Sequence, residues 1–352
     1  MRRHLLDPVG DGPAEAVVGR LGAIEAQSDQ SFELSVGIRR ARSAYGDVAA
    51  GFADGRLVKA FAFRGGRHFM TPDDAAIYLR LRAASRQWEL RSWQTYYELK
   101  ASDWPAFRGA VRDALAGGPL TLKQLGAAVV GDPRYKHLGA FFPNNAWTLI
   151  KALMWQGDMC FAPSIGGQPT FQRLDAIPRW PGLPDLDEAG RRAIEAYFSA
   201  YGPATLDHLQ YWLGAGLSAG RKRINGWFKD LGSRLAEVEV EGELAVVLSA
   251  DVDELLAARS TAAVRLLPAY DQWVMGPGTA DAHVVPNARR AVVSGGANIA
   301  VVGGVVAGTW ALKGDVLGVD WFEPSKAPAS RAVADEVARL DRVLGRPVST
   351  HG

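Results

Sequence analysis

Three polar residues in the stretch LGAIEAQSDQSFE (21–33) have the types and spacing for chemistry: Glu25, Gln27 and Asp29. They recur at every second position directly after an apolar run. A period of two does not gather them on one face of a helix, so they are not a plain solvated helical stripe. A carboxylate in such a place can take a proton from water or face a developing positive charge, and an amide oxygen can hold that water. The plain alternative is an exposed Glu near a helix end beside a capping or solvated amide. Residue type alone leaves both readings open.

Other candidates lie along the chain. Arg64 and His68 flank Gly65-Gly66, where glycine permits close backbone approach to a phosphate or a lesion strand. A hairpin turn with solvated tips is the alternative there. Arg134, Tyr135, Lys136 and His137 form one basic and aromatic cluster, and Arg221, Lys222, Arg223 and Lys229 form a second. Both suit phosphate contacts, although charge runs are commonly solvated faces. Asp271, next to Tyr270 in PAYDQW, either lines a cleft or anchors strands by hydrogen bonds. The Gly-rich SIGGQP (164–169) suits a wing tip and lacks the Lys-Ser/Thr ending of a phosphate-binding loop, so no nucleotide site is indicated. Six histidines show no metal-ligand spacing. One cysteine, Cys160, excludes an internal disulfide and any multi-cysteine zinc site, and a reducing cytoplasm fits that usage.

Elements must position these groups. A chain of 352 residues is longer than one core usually supports, so several domains are expected. With 48% hydrophobic and 22% charged residues the composition is that of a soluble globular protein. No apolar run approaches the length of a membrane span, and the N-terminus lacks the apolar segment of a signal peptide. A formal charge of +2 neither demands nor forbids nucleic acid, because a basic stripe can be offset elsewhere.

Helical spacing at Val17, Val18, Leu21 and Ile24 is followed by a second helical segment, SFELSVGIRR, and a third around 47–53. RLVKAFAF then alternates like a strand and turns back at Gly65-Gly66. Helix, helix, helix and hairpin is the order of a winged helix. The form Gly-Pro-x-Thr-Leu-x-x-Leu occurs at Gly118 and again at Gly202. Thr121 and Thr205 are suitable helix N-caps, and each copy is followed by a helical run and a hairpin. Beyond residue 260, short runs such as VRLLPAYDQWVMG, ARRAVVSG, NIAVVGG, VVAGTWAL and DVLGVDWF suggest a small antiparallel barrel. The segment SRAVADEVARLDRVLG is an amphipathic helix ending at Gly345.

The expected class is therefore α+β, with three tandem winged-helix subdomains and a C-terminal antiparallel β-barrel-like subdomain. The expected boundaries are 1–71 (winged helix 1), 72–116 (helical spacer), 117–180 (winged helix 2), 181–258 (winged helix 3), 259–325 (barrel-like) and 326–352 (helix and tail).

LGAIEAQ, LVKAFAFRGGRHFM, LLPAYDQWVMG and VVAGTW together resemble the winged-helix DNA glycosylases of the AlkZ/YcaQ type, across nearly the whole chain. The barrel signature, Leu-Leu-Pro-x-Tyr-Asp followed by Gly-Thr-Trp, is the most specific part. The resemblance implies a concave cleft for double-stranded DNA, no metal or organic cofactor, and a cytoplasmic, nucleoid-associated monomer without membrane contact. It implies a monofunctional glycosylase that removes bulky or alkylated purines (N7 or N3 adducts), in some members as self-resistance to a DNA-alkylating natural product.

The family's catalytic signature, Gln-x-Gln or Gln-x-Asp, falls by context on Glu25-Ala26-Gln27. Glu thus stands where Gln is usual. Gln27-Ser28-Asp29 spells the sister motif two residues late and out of register. On this reading Glu25 and Gln27 position the water. Arg39, Arg64, His68, Lys136, His137, Arg221, Lys222 and Arg223 contact DNA, and Tyr270 and Asp271 lie at the cleft. The alternative is a non-catalytic winged-helix DNA-binding protein, either a transcriptional regulator or a lesion-binding factor.

Overall fold

The computed structural model describes residues 1–25, 28–143, 146–216 and 218–350. The chain divides into two compact units. One comprises 1–51, 194–212 and 231–352, and the other 52–193 and 213–230. The class is mixed α+β with a curled half-barrel sheet. No helix of the described residues is long and apolar enough to cross a membrane.

The first unit opens with the helix Ala14–Leu21, which buries Val17, Val18 and Leu21. It stops at Gly22, whose φ of 75° is a left-handed conformation that glycine adopts without a Cβ penalty. The two-residue strand Ile24–Glu25 follows, with Ile24 buried and Glu25 half-exposed. The helix Asp29–Gly37 comes next. Its N-cap is Ser28, whose Oγ accepts the Ser31 N–H at 3.1 Å. The helix Asp47–Ala53 begins over the buried Glu33 carboxylate, which accepts the Ala49 N–H at 3.0 Å and the Val48 N–H at 3.4 Å. Glu33 thereby satisfies two of the amides that a helix start leaves without partners.

The sheet of this unit carries Val264–Leu267, Asn298–Val302, Val305–Lys313 and Val316–Trp321 as sequential antiparallel neighbours, with Ser349–Thr350 added in parallel at the edge. A bulge between Ala300 and Val301 disturbs the register against Val305–Lys313, which bends and twists the sheet. Leu266, Leu267, Ile299, Val301, Val306 and Trp310 pack in its core with Leu34 and Ile38. The helix Ser330–Leu344 covers this core through Val337, Leu340, Val343 and Leu344 and stops at Gly345, φ 64°. A Cβ on Gly37 would lie 2.4 Å from Val343 Cγ1, so glycine is what lets the helix Asp29–Gly37 approach the C-terminal helix so closely. One sequence expectation fails here. ARRAVVSG is not a strand but contains the short helix Arg290–Ser294, burying only Val293.

The second unit holds the hairpin Val58–Phe61 and Arg67–Met70, registered from Val58↔Met70 to Phe61↔Arg67. Helices Pro72–Ala83, Arg91–Tyr97 and Trp104–Ala114 occupy the expected spacer. Thr121 caps the helix Leu122–Val130 in a reciprocal box with Gln124. The helix Trp147–Trp155 follows, then the hairpin Met159–Ile165 and Gln168–Arg173, turning at Gly166-Gly167, both with positive φ. Thr205, in the other unit, makes the same reciprocal box with His208. The second copy continues as the helix Arg221–Asp230 and the hairpin Leu235–Val240 and Glu243–Leu248. Residues of this copy, like those of 1–71, fall in both units.

Candidate functional site

Glu25 belongs to a connector between two helices, not to either helix. The backbone at Ile24–Glu25 is extended, which sends the two side chains to opposite faces. Ile24 enters the core and Glu25 faces outward, half-exposed. Gln27 lies outside the described residues. Ser28 and Asp29, the other members of the late register, begin a helix. Ser28 Oγ is engaged as the cap, and Asp29 is exposed in the first turn, where a carboxylate suits the positive helix end.

Both helices flanking the connector are tied down within the first unit. The Leu21 carbonyl, at the end of the first, accepts the Tyr201 hydroxyl at 3.0 Å. Just beyond the second, Arg39 is wholly buried against Asp271, itself 1% exposed. Its Nη2 donates to Asp271 Oδ1 at 2.6 Å and its Nη1 to Oδ2 at 2.8 Å. The same guanidinium donates to the Ser35 and His4 carbonyls at 2.7 and 3.0 Å. Asp271 also accepts the Ser35 hydroxyl at 3.1 Å and the Trp273 N–H at 2.8 Å. Planar bidentate geometry with further hydrogen bonds on each partner is the arrangement in which a buried ion pair is tolerated. One expectation is corrected by it, since Arg39 offers no surface to a phosphate. Asp271, which the sequence leaves as cleft lining or anchor, is hydrogen-bonded here as an anchor. Tyr270 is half-buried with φ 59°, its hydroxyl packed where a Cβ on Gly296 would stand.

The second unit gathers a basic cluster under the turn of its first hairpin. Arg64 is half-buried in that turn with φ 48°. His68 is 1% exposed, and burial together with the nearby Arg64 and Arg82 charges pushes its pKa down to about 3. Its Nδ1 lies 3.1 Å from the Gly66 carbonyl, so a neutral imidazole donates there and turns an acceptor Nε2 inward. His68 is therefore not the cationic phosphate contact that the sequence suggests. Arg82 and Lys151 join this cluster, and neither stands out in the sequence because both sit in apolar helical runs. Lys136 is exposed, and His137 is half-buried beside the buried Tyr135. Arg221, Lys222 and Arg223 are exposed on the first turn of the helix Arg221–Asp230. Cations there oppose the helix dipole, so this turn presents converging positive charge to solvent. Among the described residues no group of three or more His, Cys, Asp or Glu side chains is placed to hold a metal ion.

The family model for AlkZ-like DNA glycosylases matches residues 18–343. This chain belongs to the AlkZ-like DNA glycosylase family. An interstrand DNA cross-link repair glycosylase of Streptomyces sahachiroi is 33% identical, over 98% of this chain and 94% of the relative. The solved structure of the Streptomyces sahachiroi DNA glycosylase AlkZ is similar with a TM-score of 0.91 at 31% identity, covering 100% of this chain and 96% of that one. In this AlkZ-like chain the buried histidines carry an acid liability. His4, like His68, is buried, and desolvation and the Arg39 charge push its pKa well down. Both are neutral in the folded protein and gain a proton near pH 6.5 when unfolded, so stability is present above that pH and is lost as pH falls below it. Each contributes a slope of about 1 kcal/mol per pH unit. His68→Gln and His4→Gln should each flatten the decline of unfolding free energy between pH 6.5 and 5, measured by urea titration. Unchanged slopes in both would show that the imidazoles are charged in the fold.

Proposed function

We propose that this chain is a monofunctional DNA glycosylase hydrolysing the N-glycosidic bond of bulky or alkylated purines. The N7 or N3 adducts of a DNA-alkylating natural product, including crosslinks, are the substrates we favour, and self-resistance is the biological role. The observation that carries the reading is the end-to-end match with a cross-link repair glycosylase. The position of Glu25 supports it: a half-exposed carboxylate on a connector whose flanking helices are tied at Leu21 and Arg39.

Alkylation leaves the purine cationic, so it can depart without a strong general acid. The C1′–N bond breaks, the base leaves with the bonding electrons, and the sugar becomes oxocarbenium-like. We assign Glu25 two roles: to face that developing charge, and to accept the proton of the water whose oxygen bonds to C1′. Gln27 would hold the water through its amide oxygen. A Glu suits both tasks. Its repulsion from phosphates is the cost. Lys136, His137, Arg64, Arg221, Lys222 and Arg223 remain our candidates for DNA contact. We read 1–71, 117–180 and 181–258 as three winged helices, and duplex DNA as the partner of a monomer.

Purified protein should release the modified base from alkylated duplex in the presence of EDTA. No release from a panel of N7- and N3-alkyl adducts and a crosslinked duplex sinks the glycosylase reading. Footprinting separates it from a regulator, which would protect a defined sequence, whereas backbone contacts give little sequence preference and steep salt dependence.

A further inference from the structure

The cluster under the first hairpin has a feature that its role as scaffold does not explain. Arg82 is 4% exposed, yet no carboxylate among the described residues pairs with it. Its guanidinium lies over the Trp155 ring, 5.3 Å from the centroid. One long hydrogen bond, Nη1 to the Ala215 carbonyl at 3.5 Å, serves it, and Nε has no acceptor among the described residues. Lys151 Nζ sits over the Phe61 ring at 4.7 Å. It also stands 3.3 Å from where a Cβ on Gly65 would be, so the glycine turn leaves it room. Burial, and then the Arg64 charge, lowers Arg82 to about 10, and burial followed by the Arg82 charge lowers Lys151. The neutral His68 lies against Phe63 at the base of the same hairpin. A buried guanidinium without a counter-ion costs several kcal/mol, and folds keep such a charge where an anion completes the set.

We propose that Arg82 and Lys151, roofed by the turn at 62–66, form a seat for one backbone phosphate of the DNA. This rests on the reading that the chain acts on DNA. The guanidinium presents a planar fork to two phosphate oxygens, and the lysine adds a point charge from the side. Aromatic faces beneath both cations hold them in place and exclude water, which strengthens the pairing. The contact carries no base information, so it positions the duplex without selecting sequence. Gly216 adds no side chain beside Arg82: the nearest atoms to a Cβ there would be Arg64 Cα and Arg82 Nη2, at 3.9 and 4.0 Å.

The test is fluorescence anisotropy of a labelled, undamaged duplex titrated with the full chain between 50 and 200 mM salt. Each phosphate neutralised contributes about 0.9 to the slope of log K against log salt. Lys151→Gln and Arg82→Gln should each weaken binding about 5- to 20-fold and flatten the slope by up to about one. Arg82→Lys should recover part of the affinity. Wild-type affinity and slope in a folded Lys151→Gln protein overturn the phosphate seat, and that variant decides the matter if Arg82→Gln fails to fold. A wild-type chain that does not bind duplex at all overturns the DNA reading, and the seat with it.

Discussion

Glu25→Ala should slow base release by about 10²–10⁴-fold, the contribution of a well-placed general base, while duplex affinity stays within a few-fold of wild type. Gln27→Ala should fall in the same direction. The asymmetry between rate and binding is the informative part. A residue that faces the sugar only as charge develops contributes to the transition state and little to the ground state, so truncation lowers turnover without weakening binding. Single-turnover release measured beside anisotropy separates the two quantities. Full activity in both variants would place the water elsewhere. The late register would then regain interest only if Asp29→Asn abolished release, an outcome disfavoured by the place of Asp29 in the exposed first turn of a helix whose cap is Ser28.

Asp271→Ala should lower the unfolding free energy by about 3–5 kcal/mol, because it strands the Arg39 guanidinium without its bidentate partner in a fully buried site. Lys136→Ala, by contrast, removes an exposed side chain and should stay within about 0.5 kcal/mol of wild type. Equilibrium unfolding in urea checks both. A second consequence concerns activity. Arg39 ties the end of the helix Asp29–Gly37 to the sheet, and that helix begins three residues after Ala26. Loosening this anchor should therefore reduce base release even in protein that remains folded below its transition. Loss of less than about 1 kcal/mol would mean that water or a rearranged acceptor replaces the carboxylate.

Local features of this fold are legible in the sequence, and distant pairings are not. Thr121 and Thr205 were readable as caps because a cap and its helix are neighbours in the chain, and the hydrogen bonds to Gln124 and His208 N–H groups are confined to one turn. Gly345 ends its helix for an equally local reason. At Glu25 the helical periodicity breaks, and the short strand Ile24–Glu25 accounts for it. Arg39 and Asp271 are 232 positions apart, so nothing in either neighbourhood announces the pair. A run of arginines after a helix looks like a solvated exit, and only the folded chain shows that Arg39 turns inward while Arg40 pairs with Asp47. The sequence misleads at His68 for a related reason. A histidine two residues after a glycine pair suggests an exposed turn, but His68 lies in the strand Arg67–Met70 and is buried. Arg82 and Lys151 do not stand out in the sequence, because one charge in an apolar helical face reads as a snorkelling side chain. ARRAVVSG contains enough Val to suggest a strand, but no strand pairs with it among the described residues.

The central claim is that a carboxylate at position 25, where the resemblance leads one to expect Gln, drives depurination. Its most direct test is the single-turnover rate of base release from a duplex with one defined N7-alkylguanine, compared between the native protein and Glu25→Gln. The prediction is metal-independent release by the native protein and a rate at least about tenfold lower in Glu25→Gln, with unchanged duplex affinity, because the amide can hold a water but cannot take its proton. Equal rates in the two proteins, or no release by the native one, would contradict it.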